Sequence, residues 1–412
     1  MGRKLIQCIV LSLVLVPIWG ISQGAETISE VKIGVITPLS GPLSSIGTAA
    51  KRGAMLAAER INNEGGIKSL GGAKIKLLFG DDEAKPNIGM AEAERLIKQD
   101  KVDALIGAYT SSVSFPMTQV AERYKVPVVV PASAKDEITE RGFKYTFRLC
   151  DKASGYSKGG LSFIEWLYET NNIPVKTIGL LYEDSGWGKA YTNSLKKHLQ
   201  QSGSEYEIVV DLPYSKETKD LRATILKLKA ANPDVVVQVS YTIDAILAIK
   251  TMHELGYFPK ALVTGGSGHT VPDFYKSVGE LSEFIYVTEP FSPMLPVGEV
   301  KARADEFEKK YDTPMDMYGA FFYTGLYIIA DALERAGSVD KAKIRDALTK
   351  VNIEVGKKGN LFPYAATFDD QGQAPATTSF CQWKSGIKEI VYPTATATAK
   401  PVIPAPDWKA RQ

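Results

Sequence analysis

From residue 28 onward the apolar positions alternate between two patterns, unbroken short runs and stretches in which they recur every third or fourth residue. Val31–Ile36, Ile75–Phe79, Val102–Ile106 and Val126–Val130 are runs of the first kind, which predicts strands buried on both faces. Between them, Ala50, Ala54, Ala57 and Ile61 mark a helix stopped by Gly65 and Gly66, and Met90, Ala93 and Ile97 mark another over 86–99. Val113, Pro116, Met117, Val120, Ala121 and Tyr124 stand at offsets 0, 3, 4, 7, 8 and 11, one stripe at helical period. Ser112 or Ser114 is the expected N-cap of that helix, with Pro116 tolerated in its first turn. Strand alternating with helix predicts an α/β fold with a parallel, doubly wound sheet.

The alternation then begins again. Ile178–Tyr182, Glu207–Leu212, Val235–Val239 and Ala261–Thr264 read as strands, with helices over 189–201, after Thr218, and at Ile243, Ile246 and Leu247. The segments KVDALIGAYTSS and NPDVVVQVSYTID each give an aspartate, an apolar strand, a tyrosine, a hydroxyl cluster and a helix. That is the mark of a duplicated lobe. Ligands of such sheets bind outside the carboxyl ends of the strands, so two lobes present two such edges across a cleft. The hydroxyls Ser111 and Ser112 fall at one of these edges, where helix N–H groups attract a small anion such as a carboxylate. Helix capping alone is the plainer reading of the same serines.

A third region follows Phe284–Val287. Pro290, Pro293 and Pro296 form a loop; Val300, Ala304, Phe307 and Tyr311 stripe a helix; and 319–336 is apolar and helical, capped by Gly337. Short strands are expected at Ala366–Phe368, Phe380–Trp383 and Glu389–Tyr392, and the Pro-, Ala- and Thr-rich end reads as a mobile tail.

Composition narrows the function. The 412 residues are 44% hydrophobic and 23% charged with net charge +2, which leaves no electrostatic footprint for nucleic acid. Arg3 and Lys4 precede an apolar run, Leu5–Trp19, followed by small and polar residues, which predicts a signal peptide cleaved near Gly24 or Ala25 and a periplasmic, soluble chain. Cys8 lies in that leader; Cys150 and Cys381 are compatible with one bridge or with buried free thiols, the second being the reading taken.

Candidate chemistry is sparse. Gly265–Gly266–Ser267–Gly268 fails the GxSxG elbow because His269 stands where the last glycine belongs. No phosphate-cradling glycine motif is present. His198 and His253 are expected on solvated helix faces and His269 is alone, so no metal site is predicted. Asp81–Asp82 and Glu183–Asp184, adjacent acids at strand ends, read first as helix caps. No catalytic constellation, cofactor or enzyme activity is expected; an enzyme on this scaffold would need a nucleophile, metal or cofactor motif.

VKIGVITPLSGPLSSIG, GGIKSLGGAKIKLLFGDDEAKP, VDALIGAYTSS, VPVVVPASAKDEITERGFKYTFR and LLYEDSGWGKAY resemble the periplasmic Leu/Ile/Val-binding protein family over about residues 28–392. The resemblance implies a type I periplasmic-binding-protein fold, two Rossmann-like lobes joined by three hinge crossovers. These would fall near Phe147–Asp151, Val287–Pro290 and Tyr364–Phe368. It implies a leader at 1–25, an N-terminal lobe of 26–148 plus 288–365, a C-terminal lobe of 149–287 plus 366–393, and a flexible tail of 394–412. It also implies the solute-binding component of an ABC importer, a monomer whose partners are a small carboxylate ligand and permease subunits. A sensor or receptor of the same fold is the alternative.

By the same resemblance Ser111, with Ser112 beside it, and the loop Ala132–Ser133–Ala134 would hold the carboxylate, although Ala134 stands where the amino acid binders carry threonine. Trp187 and Tyr241 would cover the ligand, Ile46 would line the side-chain pocket and Tyr109 would stack there. Gly266 replaces the family's ammonium-binding glutamate. A buried ammonium without a counter-charge costs several kcal/mol. So either Glu183, Asp184 or Asp244 substitutes, or the ligand has no ammonium.

Overall fold

A computed structural model describes residues 28–203 and 205–411. The leader, its cleavage point and Cys8 lie outside the described residues. The chain runs β1 (Glu30–Thr37), α1 (Ser44–Asn63), β2 (Lys74–Asp81), α2 (Pro86–Lys98), β3 (Ala104–Gly107), α3 (Ser111–Tyr124), β4 (Val128–Val130), α4 (Glu137–Glu140) and β5 (Thr146–Arg148). These strands form one parallel sheet in the order β2-β1-β3-β4-β5. The apolar runs become strands because helices cover both faces: Ile33 and Val35 pack toward α1, while Ile36 and Leu105 pack with Leu96 and Val113 of α2 and α3.

The second lobe follows as α5 (Ala153–Thr170), β6 (Thr177–Glu183), α6 (Gly186–Ser202), β7 (Glu207–Tyr214), α7 (Arg222–Ala231), β8 (Val235–Val239), α8 (Thr242–Glu254), β9 (Ala261–Thr264), α9 (Pro272–Val278) and β10 (Tyr286–Glu289). The chain then returns to the first lobe as α10 (Val300–Tyr311), α11 (Met317–Ala336), α12 (Lys341–Leu348) and the small antiparallel pair β11 (Asn352–Ile353) and β12 (Ala366–Thr367). It ends in the second lobe as β13 (Ser379–Lys384) and β14 (Ile387–Tyr392). That sheet has the order β14-β13-β10-β9-β8-β6-β7, in which β13 alone runs antiparallel to the other strands and the hairpin partner β14 runs with them.

α11 is apolar nearly all round because it is enclosed nearly all round. It lies so close to α1 that a Cβ at Gly53 would fall 2.0 Å from the Gly319 carbonyl oxygen. Asp316 caps it by accepting from the Tyr318 and Gly319 amides, and Gly337 ends it with φ 52°.

Several expectations need correction. α3 starts two residues earlier than a Ser112 cap requires and four earlier than a Ser114 cap: Thr110 is its N-cap, with no side-chain bond, and Ser114 instead accepts from the Ala108 amide. The expected flexible tail is docked on the second lobe. Val402 bonds Gln382 and Tyr286, Ala405 N donates to the Lys260 carbonyl, Trp408 Nε1 donates to the Tyr257 carbonyl, and the Arg411 guanidinium lies 4.1 Å from both the Phe258 and Trp408 rings. Proline stiffness and these contacts outweigh the polar composition that suggested disorder. His198 is half-buried, its Nε2 3.0 Å from the Ser154 carbonyl, rather than solvated. Both described cysteines are free and buried. Among the described residues no helix is long and apolar enough to cross a membrane.

Candidate functional site

The carboxyl ends of the two sheets face each other, and a partly open pocket lies between them. The first lobe lines it with Tyr109, Ser111, Ala132 and Ala134, and with Met317, Tyr318 and Phe321 from the start of α11. The second lobe contributes Tyr156, Trp187, Tyr241, Gly265 and Ser267, and the chain leaving β10 contributes Thr288 and Pro290. The lining is that of a pocket for one small, largely apolar molecule. The lobes meet around it. The Tyr109 hydroxyl lies 2.9 Å from Ser267 Oγ, and the Tyr109 and Tyr241 rings meet edge to face at 5.8 Å. A Cβ at Gly186 would sit 3.3 Å from the Ser112 amide nitrogen, so the first turns of α3 and α6 abut.

Four helices point their N-termini at this space: α3 through Ser111, α6 through Trp187, α8 through Tyr241 and α11 through Met317 and Tyr318. Each end carries partial positive charge on unpaired N–H groups. Three are already served by carboxylates. Glu183 accepts from the Ser185 and Gly188 amides at α6, Asp244 from the Tyr241 amide at α8, and Asp316 from two amides at α11. Among the described residues α3 alone of these four has no carboxylate accepting from the amides of its N-terminal turn. Ser111 Oγ, at its first position, accepts from the Lys135 amide at 3.2 Å and stays on the cavity wall.

The three acids considered as ammonium partners are therefore placed away from the cavity. Glu183 and Asp244 are buried caps, Asp244 also accepting from the Tyr214 hydroxyl at 2.8 Å, with burial pushing its carboxyl up to about 7. Asp184 is exposed and faces a separate groove. Among the described residues no acidic or basic side chain lines the cavity.

The structure gathers Tyr109, Ser111, Ala132, Ala134, Trp187 and Tyr241 on the wall and leaves four expected residues off it. Ile46 lines a different groove beside Arg52 and Tyr311. Ser112 faces the groove shared with Asp184 and Lys189. Ser133 is turned inward, donating to the Tyr109 and Ala108 carbonyls at 2.9 and 3.0 Å. Gly266 lies behind the wall with φ 83°, where a Cβ would meet the Thr288 carbonyl oxygen at 2.7 Å; its neighbours Gly265 and Ser267 face inward instead.

Tyr156, Ser267, Pro290, Met317, Tyr318 and Phe321 are wall residues that sequence reasoning did not single out. The last three stand at helical spacing i, i+1 and i+4 at the start of the apolar α11, a signal that was readable. Trp187 packs edge to face against Tyr156 and Tyr191 at 5.8 and 5.5 Å, and its Nε1 has no hydrogen-bond partner among the described residues. His269 is fully buried against Phe274, and burial pushes its imidazole down to about 3, which keeps it neutral.

The model of a family described as periplasmic binding protein matches residues 30–388. A Leu/Ile/Val-binding protein homolog 7 of Brucella abortus (strain 2308) is 31% identical over 398 residues, 92% of this chain and 96% of that one. The branched-chain amino acid transporter substrate binding protein LivJ from Streptococcus pneumoniae, solved in complex with isoleucine, superposes with a TM-score of 0.77 at 26% identity, over 88% of this chain and all of that one. A solute binding protein of an ABC transporter from Rhodopseudomonas palustris BisB5, solved with 3,4-dihydroxybenzoic acid, gives a TM-score of 0.74 at 20% identity over 86% of this chain and 93% of that one.

Proposed function

The chain belongs to the periplasmic binding protein family, and from that premise we propose that it is the solute-binding component of an ABC importer, capturing a small apolar carboxylate without an ammonium group. The observation that carries the reading is the unequal capping of the four helix ends at the cavity. Carboxylates of the protein serve α6, α8 and α11, and the ligand's own carboxylate serves α3, at Ser111 and the Ala132–Ala134 loop. An anion at such an end is favoured by about 0.3–2 kcal/mol, more as water is excluded. The rest of the wall is aromatic and aliphatic and offers nothing acidic to an ammonium, which supports an aromatic or aliphatic acid over leucine, isoleucine or valine. The lobes close on the ligand about the crossovers near 148–152, 287–290 and 364–374, and ligand favours the closed form because only that form touches it from both sides. The known ligands of the structural relatives, isoleucine for one and 3,4-dihydroxybenzoic acid for another, bracket the two classes.

Thermal-shift measurement of the chain lacking residues 1–25, against benzoate, 3,4-dihydroxybenzoate, leucine, isoleucine and valine, tests the class. A bound acid at a hundred times its Kd adds about 2.7 kcal/mol of stability. Aromatic or aliphatic acids are expected to raise Tm and the amino acids to leave it unchanged; tight binding of leucine overturns the argument from Gly266. Ser111→Trp, which fills the space in front of α3, is expected to weaken ligand binding at least a hundredfold by calorimetry with the circular dichroism spectrum unaltered. An unaltered affinity sinks the placement of the carboxylate.

A further inference from the structure

Arg148, the last residue of β5, is fully buried, yet no carboxylate among the described residues forms an ion pair with it. Its guanidinium is held by neutral acceptors. Nη1 donates to the carbonyls of Lys135 at 2.6 Å and Ser133 at 3.4 Å, Nη2 to Thr139 Oγ1 at 2.8 Å and the Asp136 carbonyl at 3.5 Å, and Nε to Gln373 Oε1 at 2.6 Å. Burial lowers the pKa of its guanidinium; Asp136, Asp151 and Glu140 stand near enough to oppose that shift in part, but each is engaged elsewhere, with the Ser154 amide, the Lys152 amide and the Lys152 ammonium. Burying an arginine this way is expensive, and a hydrophobic residue would fill the volume at lower cost.

What the fork joins gives the reason for it. The carbonyls it grips, of Ser133, Lys135 and Asp136, belong to the loop over 132–136, whose Ala132 and Ala134 line the cavity and whose Lys135 amide donates to Ser111 Oγ. Gln373 belongs to the segment that carries the chain back to the second lobe, and its Nε2 donates at 2.9 Å to the carbonyl of Cys150, in the segment that first leaves the first lobe. Arg148 N and O complete the junction, bonded to the Gly372 carbonyl and the Ala374 amide at 2.7 and 2.9 Å. One guanidinium thus ties the loop in front of α3 to two of the three crossovers.

We propose that Arg148 is a positioning residue of the ligand site, fixing the 133–136 loop against Ser111 and coupling it to the crossover segments 149–152 and 372–374. The loop then cannot release a carboxylate without disturbing the hinge, and the hinge cannot rotate without moving the loop. This rests on the reading of the cavity as a carboxylate site.

Hydrogen exchange and calorimetry on the chain lacking residues 1–25 test it, using Arg148→Gln, Arg148→Lys and, because the first variant risks misfolding, Gln373→Ala, which keeps the guanidinium and cuts its tie to the crossovers. In Gln373→Ala, exchange is expected to rise at least tenfold in 133–136, 149–152 and 372–374 together, with helices α1 and α11 unchanged. Arg148→Gln is expected to weaken whichever acid of benzoate and 3,4-dihydroxybenzoate binds the parent chain at least tenfold, with Arg148→Lys recovering part of that loss. Faster exchange confined to 372–374, uniform faster exchange throughout the chain, or unchanged affinity for a bound acid overturns the proposal. If the parent chain binds neither acid, the carboxylate reading fails, and the exchange pattern still decides whether Arg148 couples loop to hinge.

Discussion

Ser111 and Ser112 are neighbours in sequence and face different spaces, because successive helical residues point about 100° apart. The same parity decides the next loop, where Ala132 and Ala134 face the cavity and Ser133 between them turns away. Sequence reasoning could name these segments, since helix starts and strand ends are legible; it could not choose the residue within each, since that depends on a rotation of a few tens of degrees. Gly266 shows the same limit in reverse. The resemblance marks the position, but the backbone there, with φ 83° and Thr288 against it, cannot carry a glutamate without rearrangement. Burial also sets a pH dependence at single residues. Asp82 and Asp244 are each pushed up to about 7 by burial, from a normal value near 3.8. Between pH 4 and 7 the folded chain therefore binds more protons than the unfolded one, so this contribution to stability is full at low pH and is lost as pH rises through 7. Tm is expected to fall between pH 4 and 7, and Asp82→Asn, a neutral isostere, to flatten that slope. A slope identical to the parent's in a scanning calorimeter contradicts this assignment.

At the scale of elements, the long runs and stripes were readable: β1 to β4, β6 to β9, α1, α3 and α11 stand close to where the pattern put them. β5, three residues long, and α5, whose glycines and polar residues interrupt its stripe, were not. Both omissions matter, because β5 ends in Arg148 and α5 brings Tyr156 to the wall. The duplicated strand–tyrosine–helix unit was legible as sequence, and in three dimensions its two tyrosines, Tyr109 and Tyr241, meet across the cleft. The contact between α3 and α6 gives an element-scale test. Gly186→Val adds bulk where only 3.3 Å separates the helices, so it should prop the lobes apart and enlarge the radius of gyration in small-angle scattering, with Tm within about a degree of the parent. An unchanged radius means that the first turns of α3 and α6 are not a closing contact.

At the scale of the molecule, the last twenty residues bind the edge hairpin β13–β14 to the body of its sheet. Gln382 and the Tyr286 hydroxyl both find partners at Val402, and Arg411 closes the strap over Phe258. Composition alone hid this, since prolines and small residues suit a strap as well as a loose end. Truncation after Pro393 leaves buried polar groups without partners, at about 1–3 kcal/mol each. It is expected to lower Tm by several degrees and leave ligand affinity within twofold, because the strap does not touch the cavity wall. A truncated chain as stable as the parent would mean that the strap contributes nothing.

Trp187 gives the cavity an optical consequence. Of the five tryptophans, Trp19 lies outside the described residues, Trp166, Trp383 and Trp408 pack elsewhere in the second lobe, and Trp187 alone of these stands on the wall with its indole N–H unpaired. A molecule entering the cavity changes the polarity and collisional environment of that one fluorophore while the others report an unaltered scaffold. Occupancy is thus written in the protein's own emission, and stopped-flow mixing against Trp187→Phe would time the capture of ligand without any label.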